Sequence, residues 1–194
     1  ILILWVLLLL MGSLFLGRRV LSLPKFIREP ILLAFSTASS EAAYPKTLQG
    51  LKRFGCSEKI SSFVLPVGYS FNLDGSMMYC TFATMFIAQA YGIEITIAQQ
   101  ITMLLLLMVT SKGMAGVPRA SLVVIAAAMA QFHIPEAGLL LLLGVDHFLD
   151  MARSATNVMG NAIASSVVAK LEGELTEPTD DDEDLLDDAV LVKE

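Results

Sequence analysis

Asp146, Asp150, Arg153, Asn157 and Asn161 interrupt an otherwise apolar stretch at spacings of four, three, four and four residues. At about 100° per residue on a helix they share a stripe roughly 80° wide. A carboxylate accepts an ammonium group, a guanidinium forks onto a carboxylate, and an amide both donates and accepts. This combination suits a small zwitterion or anion. The flanks, residues 139–145 and 162–169, are apolar enough for a membrane. Ionisable groups at that depth are costly and mark function by default. A plainer alternative stands beside this one: Asp150 and Arg153, three residues apart, can satisfy each other as an internal ion pair.

The elements that must carry this stripe are membrane helices. Residues 1–17 hold no charge, 60–92 hold only Asp74, and 95–111 and 120–135 hold none. Runs of that length and spacing fit bilayer spans better than the core of a soluble domain. The first run ends at Arg18 and Arg19, whereas a signal peptide carries its charges before the apolar run. Residues 1–16 are therefore expected to be the end of a helix that begins upstream. Charge is split along the chain. Residues 1–170 carry twelve Lys/Arg against eight Asp/Glu, and 171–194 carry one Lys against eleven acids. The expectation is a solvated, largely disordered tail over 172–194. Cys56, Cys80, His133 and His147 are scattered and form no disulfide framework or metal-ligand pattern. No phosphate-binding glycine loop and no basic stripe for nucleic acid is present.

Lys and Arg at 18, 19, 25, 28, 46, 52, 53 and 59 flank residues 30–45. Both ends then face the cytoplasm, which predicts a re-entrant hairpin with its tip in the small, polar run STASSEAAYP at 36–45. Residues 60–92 read as a span broken at NLDGS, 72–76, where Asn, Asp and Gly favour turns. A break at membrane depth offers backbone carbonyls beside Asp74 to a cation. A loop joining two short helices on the soluble side is the plainer alternative. Residues 95–130 repeat the hairpin pattern around SKGMAGVP, 111–118, bracketed by Lys112 and Arg119. Two broken hairpins, each followed by a polar span, suggest inverted repeats around a midplane site.

In that order, these four motifs resemble the dicarboxylate/amino acid:cation symporter family, which includes glutamate transporters. The resemblance covers about residues 1–175. It implies an all-α integral membrane fold with eight spans, two re-entrant helical hairpins and a broken helix. The complete chain would be about twice as long and homotrimeric, in contact with lipid in the inner (plasma) membrane. The present chain would then comprise the end of the sixth span (1–22), the first hairpin (23–60), the broken span (61–93), the second hairpin (94–134), the polar-striped span (135–171) and the acidic tail (172–194). Carried over by position, Arg153 resembles the residue holding the substrate side-chain carboxylate. Asp150 resembles the one taking the ammonium, and Asn157 the one at the main-chain carboxylate. Ser40 and Val117 resemble hairpin-tip contacts. Asn72 and Asp74 resemble cation-site residues, and Asp146 matches a carboxylate that orients polar neighbours.

The departures from the sodium-coupled pattern are as informative. Leu73 stands where those members have methionine, Asn161 where they have a sodium-ligating aspartate, and Lys112 follows the hairpin serine beside a sodium site. Each change removes a ligand or a negative charge, or adds a positive one. The chain thus resembles the bacterial proton-coupled glutamate and C4-dicarboxylate carriers more closely. This implies symport of glutamate or aspartate with H⁺, with Lys112 filling space left by a missing sodium. No cofactor is implied beyond the coupling ion, H⁺ or Na⁺. Glu41 and Asp74 are the candidate proton carriers, because a buried carboxyl protonates more readily. Glu41 bonded to the turn's own amides is an equal alternative. Arg153 favours an acidic side chain and Asp150 an amino group, whereas the run GYSFNLD at 68–74 resembles the C4-dicarboxylate branch. A passive channel stays open. An intramembrane aspartyl protease does not fit: its two aspartates lie on different spans, one of them in a Gly-x-Gly-Asp type motif.

Overall fold

The computed structural model describes residues 1–112 and 118–179, and it is helical throughout. Helix α1 (Leu2–Leu16) continues as a 3₁₀ turn, Gly17–Leu21. Then come α2 (Leu23–Thr37), α3 (Tyr44–Phe54), α4 (Glu58–Phe71), α5 (Asp74–Ala90), α6 (Ile97–Thr110) and α7 (Ala120–Gln131). A 3₁₀ turn (Glu136–Leu139) and the single turn α8 (Leu140–Leu143) lead into α9 (Asp146–Leu171). Local chemistry sets the ends. Pro24 and Pro45 start α2 and α3, where a missing N–H costs nothing. Gly55, at φ 102°, stops α3 in the left-handed region. Thr96 and Gln99 close a capping box on α6.

Helix α9 is the axis on which α1, α2, α3, α4 and α5 pack. Helix α2 pairs with α3, and α6 with α7. One apolar cluster joins Leu23, Ile27, Leu51, Phe54 and Leu65 to Met159 and Ile163 of α9. A second joins Cys80, Ile87, Met103, Leu107, Ile125 and Met129. Outside these clusters the surface is apolar to a degree that water does not tolerate. Leu2, Ile3, Phe63, Phe82 and Val123 are each more than 70% exposed. Such a surface marks contact with lipid or with further protein. Among the described residues, one helical stretch, Leu2–Leu21, is long and apolar enough to cross a bilayer unaided.

Three expectations need correction. The break between α4 and α5 takes only Asn72 and Leu73, and 74–76 form the first turn of α5. Asp74 favours that position because a helix start attracts negative charge. The polar span is not one helix over 135–171. It starts at Asp146, after a turn at Gly144 and Val145, where glycine is a poor helix former. The tail does not become free at residue 172 either. Residues 174–179 form a strap along the α3–α4 loop: Ser57 N–H donates to Glu174 O at 3.1 Å, Thr176 N–H to Gly55 O at 2.9 Å, and Thr179 N–H to Arg53 O at 2.9 Å. Arg19 Nη2 clasps it through the carbonyls of Phe54 and Thr176. These backbone pairs outweigh the acidity of the segment. Residues 180–194 lie outside the described residues.

The strap covers Cys56, which is 2% exposed and pairs backbone to backbone with Leu175. Burial pushes its thiol up to about 11, so it stays protonated and unreactive at neutral pH. Truncating the complete protein after residue 173 is expected to raise the maleimide labelling rate of Cys56 at pH 7.5 at least tenfold, by about the order of magnitude that local opening allows. Truncation after 179 should leave the rate unchanged. Equal rates in both variants would show that the strap does not shield the thiol.

Candidate functional site

The first turn of α5 needs hydrogen-bond acceptors, because a helix start leaves its N–H groups unpaired. Its N-cap, Leu73, supplies none. Asn157 of α9 does so from a distance. Its Oδ1 accepts from Gly75 N–H at 2.9 Å and Ser76 N–H at 3.2 Å, and its Nδ2 donates to Ser76 Oγ at 2.9 Å. Arg153 Nη1 donates to the same hydroxyl at 2.8 Å. Close approach is possible because Gly75 has no side chain: a Cβ there would collide with the Arg153 carbonyl and with Thr156.

Arg153 and Asp150 form a sealed pair. The guanidinium reaches Asp150 Oδ1 through Nε and Nη2, each at 2.5 Å, and neither residue has exposed surface. Asp150 Oδ2 accepts from the Arg119 N–H at 2.8 Å, which ties the exit of the 111–118 segment to α9. One turn earlier, Asp146 is also fully buried. Its Oδ1 accepts from the Tyr79 hydroxyl at 2.6 Å, and Arg119 Nε lies 3.6 Å from its Oδ2. Near the other end of the stripe, Asn72 Nδ2 donates to Asn161 Oδ1 at 3.2 Å. Asn161 Nδ2 is buried without a hydrogen-bond partner among the described residues. Asp74 is half-buried against Gly160, where a Cβ would strike its carboxylate. Lys112 Nζ donates to Phe71 O at 2.6 Å and so satisfies an orphan carbonyl at the end of α4.

The structure therefore brings Asn72, Asp74, Arg153, Asn157 and Asn161 to one seam where α9 meets the α4–α5 break, with Lys112 on the end of α4, and sets Asp150 and Asp146 further along α9 beside Arg119 and Tyr79. Ser40 sits in the 38–43 turn, fully buried, with its hydroxyl unpartnered among the described residues. The helices meeting at that turn pack Ala34 and Ala43 on Val158 of α9. Glu41, expected to be buried, is exposed in this turn, because the short loop points it outward. Val117 lies outside the described residues. Asn157, expected to face a substrate carboxylate, has both ends of its amide engaged by α5. Ser76 and Arg119, read only as the end of the break and the flank of a hairpin tip, and Tyr79, not singled out, also join the site. Tyr79 carried a usable signal: a phenol in a buried run needs a hydrogen-bond partner.

Removing one member of a buried ion pair strands the other. Arg153→Leu is expected to destabilise the complete protein by about 3–5 kcal/mol. The double variant Asp150→Asn/Arg153→Leu should lose distinctly less. Thermal unfolding in detergent measures both, and equal losses would mean that the pair is not the constraint.

The sequence pattern of the sodium:dicarboxylate symporter family matches residues 1–171. The chain is 50% identical over 161 residues to the proton/sodium-glutamate symport protein of Geobacillus stearothermophilus, covering 83% of this chain and 38% of that protein. It is 50% identical over 156 residues to the proton/glutamate-aspartate symporter of Escherichia coli, covering 80% and 36%. It is 45% identical over 154 residues to the C4-dicarboxylate transport protein of Bacillus subtilis, covering 79% and 37%. The chain thus spans little more than a third of the length of the curated relatives it matches. With the family pattern running from α1 through the α4–α5 break to the end of α9, the chain belongs to the sodium:dicarboxylate symporter family.

Proposed function

We propose that the complete protein is a secondary active symporter for acidic amino acids, glutamate and aspartate, driven by H⁺. It is a carrier and not an enzyme, a multi-pass homotrimer in the inner membrane. In this proposal α2–α3 and α6–α7 are the re-entrant hairpins of an inverted repeat, and α9 holds the substrate.

The observation that carries this is the sealed Asp150–Arg153 pair. An ammonium acceptor and a carboxylate fork stand side by side where neither charge tolerates being left alone. An acidic amino acid brings both complementary groups. It can replace one internal pair by two intermolecular pairs, and its second carboxylate then needs a donor of its own. Proton coupling is supported by Asn161, an amide paired with Asn72, and by Lys112, whose ammonium sits on the Phe71 carbonyl at the break. Of the two candidate proton carriers, Asp74 lies in the seam and Glu41 is exposed, so the proton is assigned to Asp74. A second substrate class, C4-dicarboxylates, is favoured by the 68–74 run and by the C4-dicarboxylate transport protein among the relatives. Sodium is the alternative ion, since some relatives are named proton/sodium symporters.

Proteoliposomes holding the complete protein, with Na⁺ and pH gradients set independently, separate these cases. Concentrative aspartate uptake is expected from a pH gradient alone. Uptake that needs Na⁺ and ignores pH would overturn proton coupling, and succinate outcompeting aspartate would favour the dicarboxylate class. Asp74→Asn is expected to abolish pH-driven accumulation while aspartate exchange between equal pools persists. Unchanged accumulation would remove Asp74 as the proton carrier.

A further inference from the structure

Arg119 occupies an improbable place. Its φ is 64°, in the left-handed region that favours glycine, and it is the residue at which α7 begins. A non-glycine residue persists in such a conformation where its surroundings hold it there. Here two contacts do so, one from each end of the residue. The backbone N–H donates to Asp150, and the guanidinium Nε approaches Asp146 Oδ2 at 3.6 Å. That oxygen is buried and has no hydrogen-bond partner among the described residues, because Tyr79 serves Oδ1 alone. The Arg119 side chain itself is 58% exposed and so remains accessible.

Charge gives the pairing its meaning. Asp146, Asp150 and Arg153 together carry one net negative charge. An anion entering that group meets repulsion in a setting where screening is weak. Arg119 brings the four groups to neutrality. Asp74 and Lys112, at the α4–α5 break, have opposite signs and cancel while Asp74 is ionised.

We propose that Arg119 is a positioning residue for an anionic substrate: its side chain offsets the charge of Asp146, so that the Asp150–Arg153 pair can open to a carboxylate. This rests on the carrier function proposed above. The geometry also offers a clean test. Glycine adopts φ 64° without strain and keeps the N–H that Asp150 accepts, so Arg119→Gly removes the guanidinium alone. Asp146→Asn keeps an oxygen for the Tyr79 hydroxyl and removes the charge that Arg119 offsets.

The experiment is initial-rate exchange of aspartate and of succinate by the complete protein in proteoliposomes. Arg119→Gly is expected to raise KM on the order of tenfold, with kcat changed less than about twofold. Arg119→Lys should stay near wild type. Arg119→Gly/Asp146→Asn should recover to within about threefold of wild type, because neutrality is restored. A wild-type KM in Arg119→Gly overturns the assignment, and so does a double variant no better than the single one. A loss confined to kcat also overturns it, since that marks a conformational role. If the wild-type protein exchanges neither anion, the proposed carrier function falls, and this assignment with it.

Discussion

A guanidinium with no exposed surface is the constraint from which the site follows. Arg153 must have its charge met by Asp150 and its donors filled from elsewhere. One further acceptor is Ser76, in the first turn of α5. For that hydroxyl to stand beside α9, the chain must restart a helix at that level, which requires the break at Asn72 and Leu73. Asn157 completes the arrangement by filling the donors that the restart exposes. The ion pair, the break and the cap are therefore one structure. Ser76 and Asn157 are the residues that link them.

Glycine makes the contact possible. Gly68 faces Asn161, Gly75 faces the Arg153 backbone, and Gly160 faces Asp74. Each lies where α9 meets the broken pair of helices, and in each case a methyl group would occupy the space of a polar partner. Small residues at such crossings let backbones approach closely, and dispersion and hydrogen bonds then hold helices that lipid does not drive together.

The polar stripe was legible in the sequence because spacing on one helix is a local property. Asp146, Asp150, Arg153, Asn157 and Asn161 share a face whatever lies opposite. The α4–α5 break was legible for the same reason, since Asn, Asp and Gly act on their own backbone. What spacing does not encode is which face of another helix meets the stripe, so the contacts of Ser76, Tyr79 and Arg119 with it stayed unread. Asn157 is the sharpest case: its residue type suggested a ligand contact, and its partner is the start of another helix. Local composition also misled at the tail. Acidic residues announce solvation, but the strap at 174–179 is held by its backbone, to which composition is blind. Glu41 shows the converse, since membership of a buried turn does not bury every side chain in it.

The cap on α5 has a consequence in time. Gly75 N–H and its acceptor on Asn157 are 82 residues apart. During synthesis at about 5–20 residues per second, the acceptor leaves the ribosome roughly 4–16 s after the donor. Within a bilayer no water stands in, and each unpaired amide costs several kcal/mol. The α4–α5 pair is therefore incomplete until α9 arrives. Anything that shelters it for those seconds, or a delay that lengthens them, acts on the yield of folded protein and not on its final form.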